Sequence, residues 1–164
     1  MIGKKLEKAF NEQIREEYYS SYLYLSMAAW FESQQLQGMA KWMRKQAAEE
    51  MGHALKFFDQ ILERGGTVKL AAIEQPLQKW ASPTAAFQAA LDHERHITGC
   101  IAKLVDLAIA EKDHAGVEFL NWFVKEQVEE EATVEPIVHR LKVNEGSPGV
   151  LYHMDHQLGK RGAD

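Results

Sequence analysis

The chain is poor in features that would each indicate a particular class of protein. Only one of its 164 residues is a cysteine, so it can form no internal disulfide and no Cys-x-x-Cys metal clip. No apolar run reaches the ~18 residues of a membrane span, and the net charge of -5 argues against the basic surface of a nucleic-acid-binding protein. The segment Met1–Glu7 lacks the apolar stretch of a signal peptide. We therefore expect a cytoplasmic protein with no membrane or nucleic-acid partner.

Proline is scarce, and apolar residues such as Leu6, Phe10 and Ile14 recur at helical spacing along most of the chain. Gly65-Gly66 marks a helix end, and Ser82-Pro83 is typical of a helix start. We predict five helices, over roughly 4–34, 39–64, 83–111, 114–143 and 148–158, followed by a frayed tail at 159–164. Pro136 is expected to kink the fourth helix. The pattern predicts an all-α fold in a single domain over 1–164.

The lengths of the connections predict how the helices are arranged. The first and second helices are joined by a few residues, as are the third and fourth, so the helices of each pair should be antiparallel. The link over 66–82 has about 17 residues and spans up to ~55 Å when extended. A helix of about 26 residues is only ~39 Å long, so this link can cross the whole bundle. We predict a four-helix bundle with one long crossover, with Leu70 and Ile73 of the crossover packed on the bundle surface.

Polar side chains occur near the middle of each of the four long helices. Glu17 lies on the first helix, Glu50 and His53 on the second, Glu94 on the third and Glu130 on the fourth. At these depths the side chains would point into the core, where a carboxylate is costly unless its charge is compensated. The helix-bundle di-iron template likewise uses a Glu from each of two helices and Glu-x-x-His pairs from the others. The spacing therefore predicts a paired metal site.

The alternative is that each glutamate is exposed and paired with a nearby base, as Glu94 could be with Arg95. If the metal site is correct, one iron is held by Glu17, Glu50 and His53, and the other by Glu50, Glu94 and Glu130, with Glu50 bridging. Gln127 would be a weaker ligand in the place of a second His. Oxygen ligands with one imidazole suit Fe(II) and dioxygen better than zinc.

A second acidic set lies beside this group. Glu49, Glu126 and Glu129 could form a third iron site that shares Glu130, or they could form a solvated acidic face. Tyr24 lies seven residues after Glu17 and faces the same way, so it is a candidate to hydrogen-bond a ligand or supply an electron. Simple core packing would explain Tyr24 equally well.

The large aromatic residues are interpreted as packing residues. Trp122 and Phe123 are predicted to lie in the core. Trp30, Trp42 and Trp80 are candidates for contacts between subunits, although Trp30 fits the core equally well.

Taken together, these segments resemble the bacterial non-haem ferritins over essentially the whole chain. The matching segments are Glu17-Tyr18-Tyr19-Ser20-Ser21 with Tyr24, Glu49-Glu50-Met51-Gly52-His53, His93-Glu94, and residues 126–130. The resemblance implies a hollow homo-oligomeric shell of twenty-four subunits. Each subunit would oxidise Fe(II) with dioxygen or peroxide and pass ferric iron to a mineral store. The resemblance implies a two-iron centre at Glu17, Glu50, His53, Glu94 and Glu130 with Gln127 alongside, a third iron site at Glu49, Glu126, Glu129 and Glu130, and a functional tyrosine at Tyr24.

Other members of the superfamily match less well. A haem-containing bacterioferritin would carry a Glu-x-x-His pair on the fourth helix, where this chain has Glu130 and Thr133. Met51 is a possible haem ligand between subunits, but plain packing explains it as well, and we expect no haem. A rubrerythrin-like peroxidase would need further cysteines, and a miniature DNA-protecting ferritin often has a more basic tail. A storage subunit without oxidase activity and a metal-free helical binding module remain as alternatives.

Overall fold

The computed structural model describes residues 1–161, which form five helices and no strand. The helices are α1 (Lys4–Ser33), α2 (Gln37–Glu63), α3 (Pro83–Ala110), α4 (His114–Val143) and α5 (Pro148–Leu158). Each bound lies within two residues of its prediction, and the all-α fold is confirmed. Pro136 lies inside α4, which continues on both sides of it. No helix in the described part is long and apolar enough to cross a membrane.

Local side-chain contacts mark the starts of α3 and α4. At α3, the side chain of Ser82 accepts a hydrogen bond from the backbone N–H of Ala85 at 3.1 Å. At α4, Asp113 Oδ1 accepts one from the backbone N–H of Gly116 at 2.8 Å, while Asp113 Oδ2 accepts one from Arg64 Nη2 at 2.7 Å. Such caps satisfy backbone donors that have no partner inside the helix. Asp113 therefore starts α4 and also ties it to the end of α2.

Two apolar clusters fill the two ends of the bundle. The Phe57 cluster consists of Ile2, Leu6, Phe10, Ile14, Phe57, Ile61, Ile97, Ile101, Leu104, Ala108, Leu120 and Phe123. The Trp42 cluster draws on residues within 23–31 of α1, 36–47 before and along α2, 86–91 of α3 and 134–141 of α4, together with Met154. The Phe57 cluster thus joins the starts of α1 and α4 to the ends of α2 and α3. Helices α2 and α3 are therefore parallel, which confirms the predicted bundle with a single crossover.

The crossover between α2 and α3 follows the surface of α1. Asn11 Nδ2 donates to the carbonyl oxygen of Thr67 at 3.0 Å, and Asn11 Oδ1 accepts from the backbone N–H of Lys69 at 2.5 Å. Leu70 and Ile73 border a shallow cavity on this surface, yet they are 68% and 42% exposed within the chain. The crossover therefore lies on the bundle surface as predicted, although hydrogen bonds to Asn11 attach its backbone while the side chains of Leu70 and Ile73 stay largely exposed.

The aromatic predictions need correction. Trp42 is 2% exposed, so its indole is buried inside the chain and the subunit-contact prediction for it is wrong. Trp30 is 9% exposed, in agreement with the core position that the sequence left open for it. Trp80 is half-buried, with its ring centre 5.7 Å from that of Trp30. Phe123 is buried as predicted, whereas Trp122 is 39% exposed and the core prediction for it is wrong. Adjacent residues of a helix point in different directions, so both side chains cannot face the same core.

Candidate metal centre

A buried polar layer separates the two apolar clusters. Its members, none more than 6% exposed, are Gln13, Glu17, Gln46, Glu50, His53, Glu94, Gln127 and Glu130. All four long helices contribute to the layer, because the bundle topology brings their middle turns to the same level. Every residue predicted for the two-iron centre lies in it.

The layer contains three groups of close metal-ligand atoms. Within each group, one ligand atom per residue lies within 4.8 Å of the others. The groups are Glu17, Glu50 and His53; Glu50, Glu94 and Glu130; and His53, Glu126 and Glu130. The first two groups share Glu50, so its carboxylate lies between two adjacent positions. This is the arrangement that the spacing of the sequence predicts.

Two glutamines that the sequence analysis did not single out orient these carboxylates. Gln13 Nε2 donates to Glu17 Oε1 at 2.8 Å. Gln46 Nε2 donates to Glu50 Oε1 at 3.2 Å and to Glu130 Oε2 at 2.5 Å. Each glutamine precedes its glutamate by four residues, the spacing that places two side chains on one helix face. This repeated Gln-x-x-x-Glu pattern was the sequence signal that could have identified both residues.

Glu94 is held by residues from two other helices. The hydroxyl of Tyr24 donates to Glu94 Oε1, so Tyr24 contacts the layer as one of the two interpretations predicted. Gln127 Nε2 donates to Glu94 Oε2 and to the Glu94 carbonyl oxygen, both at 3.2 Å. In this arrangement Gln127 acts as a hydrogen-bond donor to Glu94, whereas the sequence predicted it to be a weaker metal ligand.

Burial and mutual repulsion shift the pKa values of the layer. Burial, followed by the charge of Glu50, raises the pKa of Glu17 to about 8 and that of Glu130 to about 7. The same two causes raise the pKa of Glu94 well above its usual range. Burial lowers the pKa of His53, but its hydrogen bond with Glu50 and the nearby negative charges outweigh that effect and raise it to about 9. The layer therefore favours bound protons, or cations that replace them.

One oxygen of the layer has no hydrogen-bond partner in the described part of the chain. Glu17 Oε2 is buried and receives no donor. A buried, ionised oxygen in this state costs on the order of 1–3 kcal/mol, which favours either a bound proton or a bound cation. The carboxylate of Glu17 belongs to the first ligand group, where a cation would satisfy that oxygen. A donor set of carboxylates and one imidazole fits a hard or borderline divalent ion such as Fe(II).

The structure brings together only part of the predicted third site. Glu126 is half-buried, and its Oε1 lies 3.7 Å from His53 Nε2. Glu49 Oε2 accepts a hydrogen bond from Arg161 Nη2 at 2.7 Å. Glu129 is exposed and belongs to none of the three ligand groups found among residues 1–161.

Arg161 is the other residue that the sequence analysis missed. It lies in the tail that was expected to fray, but its side chain is directed at the polar layer through Gln46 and Glu49. The rest of that predicted frayed segment, residues 162–164, lies outside the described residues. No sequence signal pointed to Arg161, because its partners Gln46 and Glu49 lie on another helix far away in the sequence, where helical spacing does not relate them to it.

Comparison with known proteins agrees with this geometry. The family model described as the ferritin-like domain matches residues 7–143. The chain belongs to the ferritin family. It is 47% identical over 161 residues to a bacterial non-heme ferritin of Bacteroides fragilis, covering 98% of this chain and all of that protein. It is also 36% identical over 164 residues to a bacterial non-heme ferritin of Staphylococcus saprophyticus, covering 100% of this chain and 98% of that protein.

A solved structure of similar sequence supports the same assignment. An open-pore ferritin from the hyperthermophilic archaeon Archaeoglobus fulgidus superposes with a TM-score of 0.96 at 47% identity, covering 97% of this chain and 98% of that one. The resemblance to the bacterial non-haem ferritins is thereby confirmed. Membership of this family supports, at a general level, a role in iron storage and iron oxidation.

Proposed function

We propose that the chain is a ferritin subunit that oxidises Fe(II) in its polar layer and delivers Fe(III) to a mineral store. The observation that carries this proposal is the pair of ligand groups that share Glu50. We further propose that twenty-four copies form the hollow shell in which the mineral collects. The single cysteine fits a reducing compartment, so we place the protein in the cytoplasm.

Binding of Fe(II), the substrate, should release protons from the layer. Glu17, whose pKa is raised to about 8, is largely protonated in the metal-free protein near neutral pH, and Glu130, whose pKa is raised to about 7, is partly protonated. A divalent cation needs them as carboxylates, so each site that fills displaces protons. Gln13 and Gln46 already donate to Glu17, Glu50 and Glu130, which keeps these groups in place while their charge changes.

The oxidation balances when two Fe(II) ions react together. Each loses one electron, and dioxygen takes both electrons and two protons to form hydrogen peroxide. With peroxide as the oxidant, two electrons and two protons yield two water molecules. Carboxylates around the pair offset the charge gained by the iron, which lowers the free energy of the oxidised state. Tyr24 and Gln127 hold Glu94 from the side, so their part in the step is to position that carboxylate.

The direct test is Fe(II) oxidation by defined variants. Metal-free protein is loaded with Fe(II) without oxygen, air is admitted, and ferric absorbance is followed while the particle is sized. Glu50→Ala removes the shared carboxylate and should slow oxidation at least about a hundredfold. Glu63→Ala removes an exposed carboxylate from the same helix and should leave the rate unchanged.

His53→Ala should also slow oxidation strongly, because it removes the only imidazole in the first ligand group. Native rates in the Glu50→Ala and His53→Ala variants, on intact shells, would rule out this centre. An intact wild-type shell with only slow oxidation would instead indicate a storage subunit that lacks oxidase activity.

We propose a third iron position beside the pair, formed by Glu49, Glu126, Glu129 and Glu130. Glu126 and Glu130 lie in a common ligand group with His53, whereas Glu129 is exposed. We therefore expect Glu126→Ala to reduce rapid oxidation from three Fe to two Fe per chain, and Glu129→Ala to have a smaller effect. Equal loss in both variants would show that Glu129 moves toward the site when iron binds.

A further inference from the structure

The short helix α5 is seated on the start of α2 by close backbone contact. Asp155 Oδ1 accepts a hydrogen bond from the backbone N–H of Met39 at 2.7 Å. A Cβ atom added to Gly38 would lie 1.8 Å from the carbonyl oxygen of Asp155, so only glycine permits this approach. The chain leaves α5 after Leu158, and Arg161 follows three residues later. The seating of α5 therefore determines where the side chain of Arg161 can reach.

Arg161 makes three contacts with α2. Its Nη1 donates to Gln46 Oε1 and its Nη2 donates to Glu49 Oε2, both at 2.7 Å. The guanidinium carbon lies 4.6 Å from the ring centre of Trp42. The side chain is only 23% exposed. Gln46, Glu49 and the face of Trp42 therefore form a specific binding site for the guanidinium cation of Arg161, through charge-assisted hydrogen bonds and a cation–π contact.

The contact with Gln46 connects the tail to the metal ligands. Because the side-chain oxygen of Gln46 accepts from Arg161, its amide nitrogen faces the carboxylates of Glu50 and Glu130. The contact with Glu49 neutralises a carboxylate that the third iron position requires. Arg161 thus acts on the polar layer in two ways: it orients the side-chain amide of Gln46, and it neutralises the charge of Glu49.

We propose that Arg161 is an internal counter-cation that competes with a divalent metal ion for the Glu49 side of the polar layer. A guanidinium bonded to Glu49 occupies one of its oxygens and repels a second cation nearby, since unit charges a few ångströms apart interact strongly at a partly buried site. Filling of the third position then requires Arg161 to leave. The inference rests on the proposed function for the existence of that position, and goes beyond it in assigning the competitor.

Calorimetric titration of the metal-free shell with Zn²⁺ tests this competition without any oxidation. The protein should bind a tight class of about two ions per chain and a weaker class that involves Glu49. Arg161→Gln should strengthen the weaker class by about tenfold, the ratio that corresponds to ~1.4 kcal/mol. It should change the tight class much less, because Gln46 still reaches Glu50 and Glu130 from α2. Arg161→Lys keeps the charge but not the two-pronged geometry, so it should give an intermediate affinity.

Lys160→Ala is the matched control. It removes the same charge from the neighbouring exposed position and should change neither class of Zn²⁺ site. If Lys160→Ala strengthens the weaker class as much as Arg161→Gln does, general tail charge explains the effect and the specific role of Arg161 is wrong. Absence of the tight class in the wild type would contradict the proposed function itself, whereas a normal tight class with an unaltered weaker class would contradict only this inference.

Hydrogen exchange of the tail provides a second, independent readout. The backbone N–H groups of Lys160 and Arg161 bond to the carbonyl oxygens of Gln157 and Leu158. Release of Arg161 should loosen this turn, so exchange of these amides should speed up as Zn²⁺ fills the weaker class. Slower exchange would mean that the tail closes over the metal. If Arg161→Gln also weakened Zn²⁺ binding at the weaker class, the proposed competition would be wrong.

Discussion

The polar layer and the two apolar clusters are equally buried parts of the same four helices, but burial has opposite consequences in them. In the Phe57 and Trp42 clusters, removal of side chains from water stabilises the fold, at roughly 25 cal/mol per Å² of apolar surface. In the polar layer, burial raises the pKa values of Glu17, Glu94 and Glu130 and leaves Glu17 Oε2 without a donor. The clusters therefore hold the layer in an arrangement that it would not keep by itself. The difference teaches that the stability of this bundle comes from its ends, whereas its chemistry depends on its middle.

The largest effect should come from breaking an apolar cluster. Phe57 is fully buried and packs on Phe10 and Phe123, with ring centres 5.1 and 4.3 Å away. Phe57→Ala should lower the free energy of unfolding by about 3–5 kcal/mol, because it removes contacts and leaves a cavity. Chemical denaturation followed by circular dichroism, at fixed protein concentration, measures the loss. Phe57→Leu should recover part of it, and a loss below about 1 kcal/mol for Phe57→Ala would show that the cluster does not carry the fold.

The second largest effect on the stability of the metal-free protein should come from raising the pH. Glu17, Glu130 and His53 all have folded-state pKa values above their ordinary values, at about 8, about 7 and about 9. For each group the stabilisation is complete below the ordinary pKa and is lost as the pH rises through the folded value. Metal-free protein should therefore become less stable as the pH rises from about 4.5, the ordinary pKa of the glutamates, to about 9, the folded value of His53. Glu17 should contribute to that loss up to about pH 8.

Glu17→Gln isolates this contribution. The amide cannot ionise, so the variant should lose less stability over the same pH range and should exceed the metal-free wild type above about pH 8. Denaturation curves at several pH values in the presence of a chelator measure this. A variant as pH-sensitive as the wild type would locate the effect in the other groups of the layer.

The smallest effect should come from one hydrogen bond of the layer. Tyr24→Phe removes the hydroxyl that donates to Glu94 Oε1, and it should lower stability by about 1 kcal/mol. Oxidation should also slow, since Glu94 is then less well positioned. Tyr22→Phe makes the same change at a side chain that is 49% exposed within the chain, and both stability and rate should stay as in the wild type. Equal effects in the two variants would mean that the hydrogen bond from Tyr24 to Glu94 contributes to neither stability nor oxidation rate.

Local patterns in the sequence predicted most of the fold. Helical spacing, with Ser82-Pro83 and Gly65-Gly66 as end signals, predicted the helices, and the length of the crossover predicted the topology. Glu-x-x-His at Glu50 and His53, together with glutamates at matching depths, predicted which side chains meet in the layer. Their role as iron ligands stays a prediction, tested by the Glu50→Ala and His53→Ala variants.

The remaining features depend on contacts between distant segments. Arg161 meets Glu49 only because α5 is seated on α2, and spacing along the chain says nothing about such a contact. The errors at Trp42 and Trp122 have a related cause. Apolar character alone does not say which face of a helix a single residue occupies, and only the packed bundle decides it.

The ion pair of Arg64 and Asp113, with 2.7 Å between Nη2 and Oδ2, ties the end of α2 to the start of α4. Arg64 lies about 21 Å along α2 from Glu50, and Asp113 lies about 26 Å along α4 from Glu130, at 1.5 Å per residue. Because helices are stiff over such lengths, a slip of α2 along α4 at this end would displace Glu50 relative to Glu130 by a similar distance. An ion pair far from the polar layer thus contributes, together with the apolar clusters, to the spacing between Glu50 and Glu130.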